Sequence, residues 1–101
     1  MEQQQSSSKT STRFRVRRPP MYDVIIHNDD FTTFDFVAMI LITIFDKNQD
    51  EATQLTMHIH ENGEAIVGTY IYDIAQSKAD KATSLARIEG FPLQLTVNQK
   101  S

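Results

Sequence analysis

The chain contains no cysteine. That absence excludes a disulfide scaffold, a thiolate nucleophile and every cysteine-ligated metal or iron–sulfur centre together, and a reducing cytoplasm is the compartment that fits. Long apolar runs are missing too. The longest, Phe36 to Ile44, is interrupted by Thr43 and is far shorter than the ~20 residues a helix needs to cross a bilayer. It is a core segment, and no membrane partner is expected. No basic start leads into an apolar stretch at the N-terminus, so no secretory signal is expected. A Gly-rich phosphate loop is absent, and no serine stands beside a base in a recognisable motif.

What is present suits one small soluble domain. A length of 101 residues supports a single hydrophobic core, and 40% hydrophobic with 23% charged residues is ordinary globular composition. The net charge of −3 conceals an asymmetry: residues 1–20 hold Lys9, Arg13, Arg15, Arg17 and Arg18 against Glu2, and the remainder is acidic. An acidic body lacks the basic, aromatic-studded face of a nucleic-acid reader, so no nucleic-acid partner is expected. Residues 1–12 are mostly Gln, Ser and Thr, too polar to offset the entropy of ordering. Residues 1–20 therefore read as a disordered extension, and Pro19-Pro20 marks a rigid entry to a domain over 21–101. The Ser, Thr and Arg content is that of an organelle transit peptide, but the segment is short and runs straight into the domain.

Periodicity predicts the elements. Tyr22–His27 is β-rich with Tyr22, Val24 and Ile26 on one face, and Asn28-Asp29-Asp30 ends the strand. Thr32, three residues before Asp35, opens a helix over about 34–46 with Phe36, Val37, Ile40, Leu41, Ile44 and Phe45 at helical spacing. Asp50 caps a second helix over about 50–61, which Asn62-Gly63 stops. Residues 65–72, apolar in part on both faces, read as a central strand. Asp73 with Gln76 opens a third helix with a stripe of Ile74, Ala75, Lys78, Ala79, Ala82, Leu85 and Ala86, ended by Gly90. Leu93, Leu95 and Val97 alternate in a last strand entered through Pro92. The order βααβαβ implies an α+β fold, a two-layer sandwich with a three-stranded antiparallel sheet and three helices on one face.

Within this order, Val24-Ile25-Ile26-His27-Asn28-Asp29-Asp30-Phe31-Thr32, Ala52-Thr53-Gln54-Leu55, Ile59-His60-Glu61-Asn62-Gly63 and Pro92-Leu93 fall in the sequence and spacing of one family. The chain resembles ClpS over about residues 20–97. The resemblance implies a non-enzymatic adaptor without a cofactor, which binds proteins bearing a bulky N-terminal residue and hands them to a ClpA or ClpC type unfoldase. A free N-terminus is an ammonium with three donors, so it needs acceptors such as an amide oxygen, a carboxylate or a neutral imidazole. The resemblance gives this role to Asn28, Asp29, Asp30 and His60. Strand alternation puts Asn28 and Asp30 on one side and Asp29 on the other unless the chain has already turned, which ranks Asp30 above Asp29.

By position in the family, the pocket for the first side chain is Thr32, Phe34, Val37, Thr56, Ile59 and Leu93. Phe34 stands where Met is common, Thr56 where Met or another bulky residue is common, and Thr33 replaces a frequent Pro. Asp73 and Lys78 occupy the positions that contact the N-terminal domain of the unfoldase; a helix cap and a solvated lysine are their plain alternatives. The segment before the domain is engaged by the unfoldase in the family. A metal site at His58 and His60 is disfavoured, because residues two apart on a helix point about 200° apart. The rival function class is a hydrolase using Asp29, Asp30 and His60 as acid and base, and a ribosome-associated or regulatory α+β domain is a third. A monomer is the default.

Overall fold

The computed structural model describes residues 18–101. The disordered extension expected over 1–20 lies outside the described residues as far as residue 17, and Arg18, Pro19 and Pro20 are exposed and outside regular structure. The elements are β1 Met21–His27, α1 Phe34–Thr43, α2 Gln49–Asn62, β2 Glu64–Ile71, α3 Tyr72–Ile88 and β3 Gln94–Gln99. Their order is the expected βααβαβ. The sheet is antiparallel throughout with strand order β2-β1-β3, so it is an open α+β layer with the helices over one face.

The central strand is β1, not residues 65–72 as the sequence suggested. Asp23 and His27 make β1 look half-solvated, yet both are satisfied across the sheet: the Thr69 hydroxyl donates to Asp23 Oδ1 at 2.6 Å, and the His27 ring lies 2.8 Å from Thr96 Oγ1 and 3.3 Å from Glu64 Oε1. The apolar look of β2 arises instead from residues on the uncovered face, where Ile66 is 54% and Ile71 42% exposed. The β1–β2 register shifts between Val24 and Ile25, which leaves Val67 as the unmatched residue of a bulge. Beside it, Gly68 lies under the Tyr70 ring, which occupies the space a side chain at 68 would take.

The core is built from the inner face of β1 and the apolar stripe of α1. Val24, Ile26, Ile40, Leu41, Phe45, Val67 and Leu93 are fully buried or nearly so. On α3 the buried residues are Ala75, Ala79, Ala82 and Ala86, small side chains that let the helix axis approach the sheet. Ile74, expected on that stripe, is 45% exposed, and its neighbours Ile71 and Tyr72 are exposed too, while Ala75 beside it is buried.

Several helix ends differ from expectation. The α1 N-cap is Thr33, whose hydroxyl accepts from Phe36 N–H at 3.2 Å, because the Thr32 hydroxyl is bonded to Asp29 instead. That helix stops at Thr43 rather than 46, as Asp46 takes a left-handed φ of 60°. The α2 cap is Asn48 rather than Asp50, in a reciprocal capping box with Glu51. Its end at Gly63, φ 90°, is as expected. Asp73 does not cap α3; it sits in the first turn, behind an Ile71 cap that makes no side-chain bond.

Candidate functional site

β1 carries its pairing as far as His27, and the next amide is captured from elsewhere. Asn28 N–H donates to Gly63 O at 2.8 Å, which fixes the end of the central strand against the C-terminal cap of α2. This bond makes neighbours of Asn28 and the last turn of α2, where His60 stands. Between here and α1, Asp29 organises the connection. Its Oδ1 accepts from Phe31 N–H at 2.8 Å and Thr32 N–H at 2.7 Å, and its Oδ2 accepts from the Thr32 hydroxyl at 2.7 Å. An aspartate bonding backbone amides two and three residues on is a turn that its own side chain holds.

The outcome is a cleft of about 340 Å³ lined by Asn28, Asp29, Asp30, Thr32, Thr33, Phe34, Val37, Thr56, Ile59 and His60. Every candidate for the ammonium site lines it, and so does every candidate for the side-chain pocket except Leu93. Leu93 is 1% exposed and belongs to the core. Asp73 and Lys78 lie on α3, away from the cleft.

One end of the cleft is polar and acceptor-rich. Burial of Asp29 disfavours its charge, but the hydrogen bonds from Thr32 and Phe31 outweigh burial, and Arg87 adds a favourable charge, so the carboxyl titrates below its ordinary range. Asp29 is therefore an anion at neutral pH. The C-terminal end of α2 adds the negative pole of a helix dipole, which favours a cation nearby. The other end is apolar. Val37 and Ile59 are buried, and Phe34, 44% exposed, stands at the rim. Thr56 donates its hydroxyl to Ala52 O at 2.7 Å, so its polar atom is satisfied within α2.

The alternation that ranked Asp30 over Asp29 does not extend this far. The strand ends at His27 and a bend follows at Asp30, and both residues line the cleft. His58 is occupied separately, with Nδ1 2.9 Å from Asn62 Nδ2. Among the described residues no group of three His, Cys, Asp or Glu is placed to hold a metal ion.

This geometry can be compared with known proteins. The family model described as ATP-dependent Clp protease adaptor protein ClpS matches residues 17–96. The chain belongs to the ClpS family. ATP-dependent Clp protease adapter protein ClpS of Desulforapulum autotrophicum is 39% identical over 99% of this chain and all of its own length. That of Clostridium acetobutylicum is 44% identical over 86% of each chain. A solved structure of Agrobacterium tumefaciens ClpS2 bound to L-phenylalaninamide superposes with a TM-score of 0.79 at 37% identity, covering 82% of this chain and all of that one. ClpS is an adaptor family of Clp protease, and its three-helix, three-strand fold is the one described above.

Set beside the ClpS pattern, two features of the site escaped sequence reasoning. Thr33 both caps α1 and lines the cleft; its position immediately before the first helical residue was the available signal. The turn-holding role of Asp29 was legible in principle from an Asp followed by a Thr at i+3. Lys78 is not a free surface lysine: its ammonium donates to Ile44 O at 2.6 Å, lies 3.6 Å from Asp46 Oδ2 and sits 5.3 Å from the Tyr70 ring centroid. Asp73 is exposed.

Proposed function

We propose that this chain binds proteins whose N-terminal residue is bulky and hydrophobic, Leu, Phe, Tyr or Trp, and delivers them to the ClpA or ClpC type unfoldase of the ClpP protease. The observation that carries this reading is the two-ended cleft, with amide, carboxylate and imidazole acceptors at one end and Val37, Ile59, Phe34 and Thr56 at the other. A residue with a free α-amino group and a bulky side chain has the same two ends, a cationic donor and an apolar group. L-phenylalaninamide, the ligand of the A. tumefaciens relative, is such a molecule.

In this reading Asn28 Oδ1, His60 and the carboxylates of Asp29 and Asp30 receive the ammonium donors. Asp29 contributes a charge that its turn hydrogen bonds hold in place and that is ionised at neutral pH, and Asp30, more exposed, closes the site from the solvent side. Charge-assisted hydrogen bonds of this type are worth roughly 1.5–3 kcal/mol each when sheltered, so a few of them discriminate strongly against a blocked N-terminus. Thr32, Val37, Thr56 and Ile59 hold the side chain, with Phe34 as the rim. Leu93 is buried in the core and is not among the residues that line the cleft.

The adaptor acts in the cytoplasm as a monomer and performs no catalysis of its own. Delivery runs through the exposed start of α3 at Asp73. Lys78 contributes there chiefly by holding the α1 end at Ile44 against α3. Calorimetric titration tests the core of the proposal, with peptides beginning Phe, Tyr, Trp, Leu, Ile and Ala and an N-acetylated Phe peptide. Free Phe, Tyr, Trp and Leu peptides bind and the acetylated peptide does not; equal affinity for the free and acetylated Phe peptides defeats the proposal.

A further inference from the structure

His27 is the last residue of β1, and its side chain joins all three strands. In the sheet it stands opposite Glu64 of β2 on one side and Gln94 of β3 on the other. Its ring Nδ1 lies 3.3 Å from Glu64 Oε1, and its Nε2 lies 2.8 Å from Thr96 Oγ1. A carboxylate offers only acceptors, so in the neutral ring the proton sits on Nδ1 and Nε2 accepts from the Thr96 hydroxyl. The side chains of His27 and Glu64 are 31% and 59% exposed, and pairs this open to water add little to stability. What they do fix is the relative position of the strands they join.

This brace stands at the junction on which the polar end of the cleft depends. Beyond His27 the chain leaves the sheet, and Asn28 N–H donates to Gly63 O at 2.8 Å; Gly63 N–H in turn donates to Ile59 O at 2.8 Å and closes the last turn of α2. His27 and Glu64 flank the Asn28–Gly63 bond, each next in sequence to one of its partners. Of the four acceptor residues, Asn28, Asp29 and Asp30 are consecutive, and His60 alone comes from another element. The placement of Asn28 against His60 is therefore set by how residues 27–28 are held to residues 63–64. The backbone bond fixes one point of that junction. The His27 ring fixes a second beside it and, through Thr96, ties the junction to β3 as well.

We propose that His27 is a positioning residue for the ammonium site: held between Glu64 and Thr96, it sets the angle at which β1 delivers Asn28 to the last turn of α2, and so the placement of Asn28 against His60. This inference rests on the reading of the cleft as a site for a free α-amino group. His27, Glu64 and Thr96 do not line the cleft, so they act on placement and not by contact. Strand alternation turns His27 to the side of the sheet opposite the buried Val24 and Ile26, away from the helices. Asp29 is held by its own turn bonds from Phe31 and Thr32, and Val37, Thr56 and Ile59 are held within α1 and α2. The effect of the brace therefore falls on Asn28.

Amide hydrogen exchange and peptide titration on the full chain test this, with the variants His27→Ala, His27→Gln, Glu64→Gln and His27→Ala combined with Glu64→Gln. In the ligand-free protein the Asn28 amide exchanges about fivefold faster in His27→Ala than in wild type, the size of one net hydrogen bond, while the amides of Val24 and Ile26 are unchanged. Affinity for a peptide beginning with Phe falls about fivefold in His27→Ala and stays within about twofold of wild type in His27→Gln, which keeps a donor and an acceptor. The double variant loses no more than His27→Ala does, because residues in one network are not additive. Exchange that quickens equally at Val24, Ile26 and Asn28 makes His27 a residue of general stability and overturns the proposal. Unchanged exchange at Asn28 in His27→Ala overturns it also, as do losses that multiply in the double variant. A wild type that fails to bind the Phe peptide defeats the reading of the cleft, and the exchange comparison still decides whether His27 positions Asn28.

Discussion

The two ends of the cleft are built by different means. At the polar end, Asn28, Asp29 and Asp30 are consecutive, and a local set of hydrogen bonds from Phe31 and Thr32 to Asp29 holds the loop, with one outside tie from Asn28 to Gly63. At the apolar end, Val37 comes from α1 while Thr56 and Ile59 come from α2, and packing alone sets their separation. A hydrogen-bonded loop specifies positions sharply, whereas a packed wall can change size by exchanging one side chain. Under the proposed function, the polar end therefore suits the feature that all ligands would share, the ammonium group. The apolar end is then where ligands would be told apart.

Substitutions at the two ends should separate affinity from preference. The largest effect belongs to the polar end: Asp30→Ala and His60→Ala each weaken binding of a Phe-initiated peptide at least tenfold, equally for Phe, Tyr, Trp and Leu, with helical circular dichroism intact. A loss of helical signal in either variant would make that residue a structural one. Asp29→Asn has a second readout, pH. The carboxyl of Asp29 lies below its ordinary value in the folded protein. Its contribution to stability is therefore present above the ordinary Asp range near 3.9 and lost as pH falls through the lowered folded value. Wild type and Asp29→Asn should accordingly differ in urea midpoint at pH 7 and converge in strong acid; a constant difference across that range would remove the charge from the account.

The smallest effect belongs to the apolar end. Thr56→Met fills part of the wall, so it changes the order of preference among Phe, Leu and Ile peptides by a few fold and leaves discrimination against acetylation untouched. An unchanged order takes Thr56 out of the lining.

The polar end was also the more legible of the two. Asn-Asp-Asp between a β-rich run and a helix start is visible in the chain, as is the Gly63 stop that positions His60. The cap at Thr33 was misplaced by one residue because either threonine suits the role, and the choice fell to whichever hydroxyl Asp29 did not bind. Strand alternation does not reach Asp30, because the extended strand ends at His27 and alternation holds only while the backbone stays extended. Residues 65–72 were placed at the sheet centre because apolar residues on both faces suggest burial, while a bulge and an uncovered face gave the same pattern at an edge. Leu93 illustrates the limit for pockets. An apolar residue near the cleft and one lining it have the same sequence signature, and only side-chain packing distinguishes them.

The sequence by itself determined the order of elements, the loop that carries the acceptors and the family, because these depend on short-range propensity and on motifs written in consecutive residues. Tertiary structure alone decided which strand is central, that Lys78 is tied to Ile44 and Asp46, and that Asn28 and His60 border one cleft. These facts depend on contacts between segments distant in the chain, such as the 2.8 Å bond from Asn28 to Gly63, and no local pattern encodes which of several satisfiable partners a residue will meet.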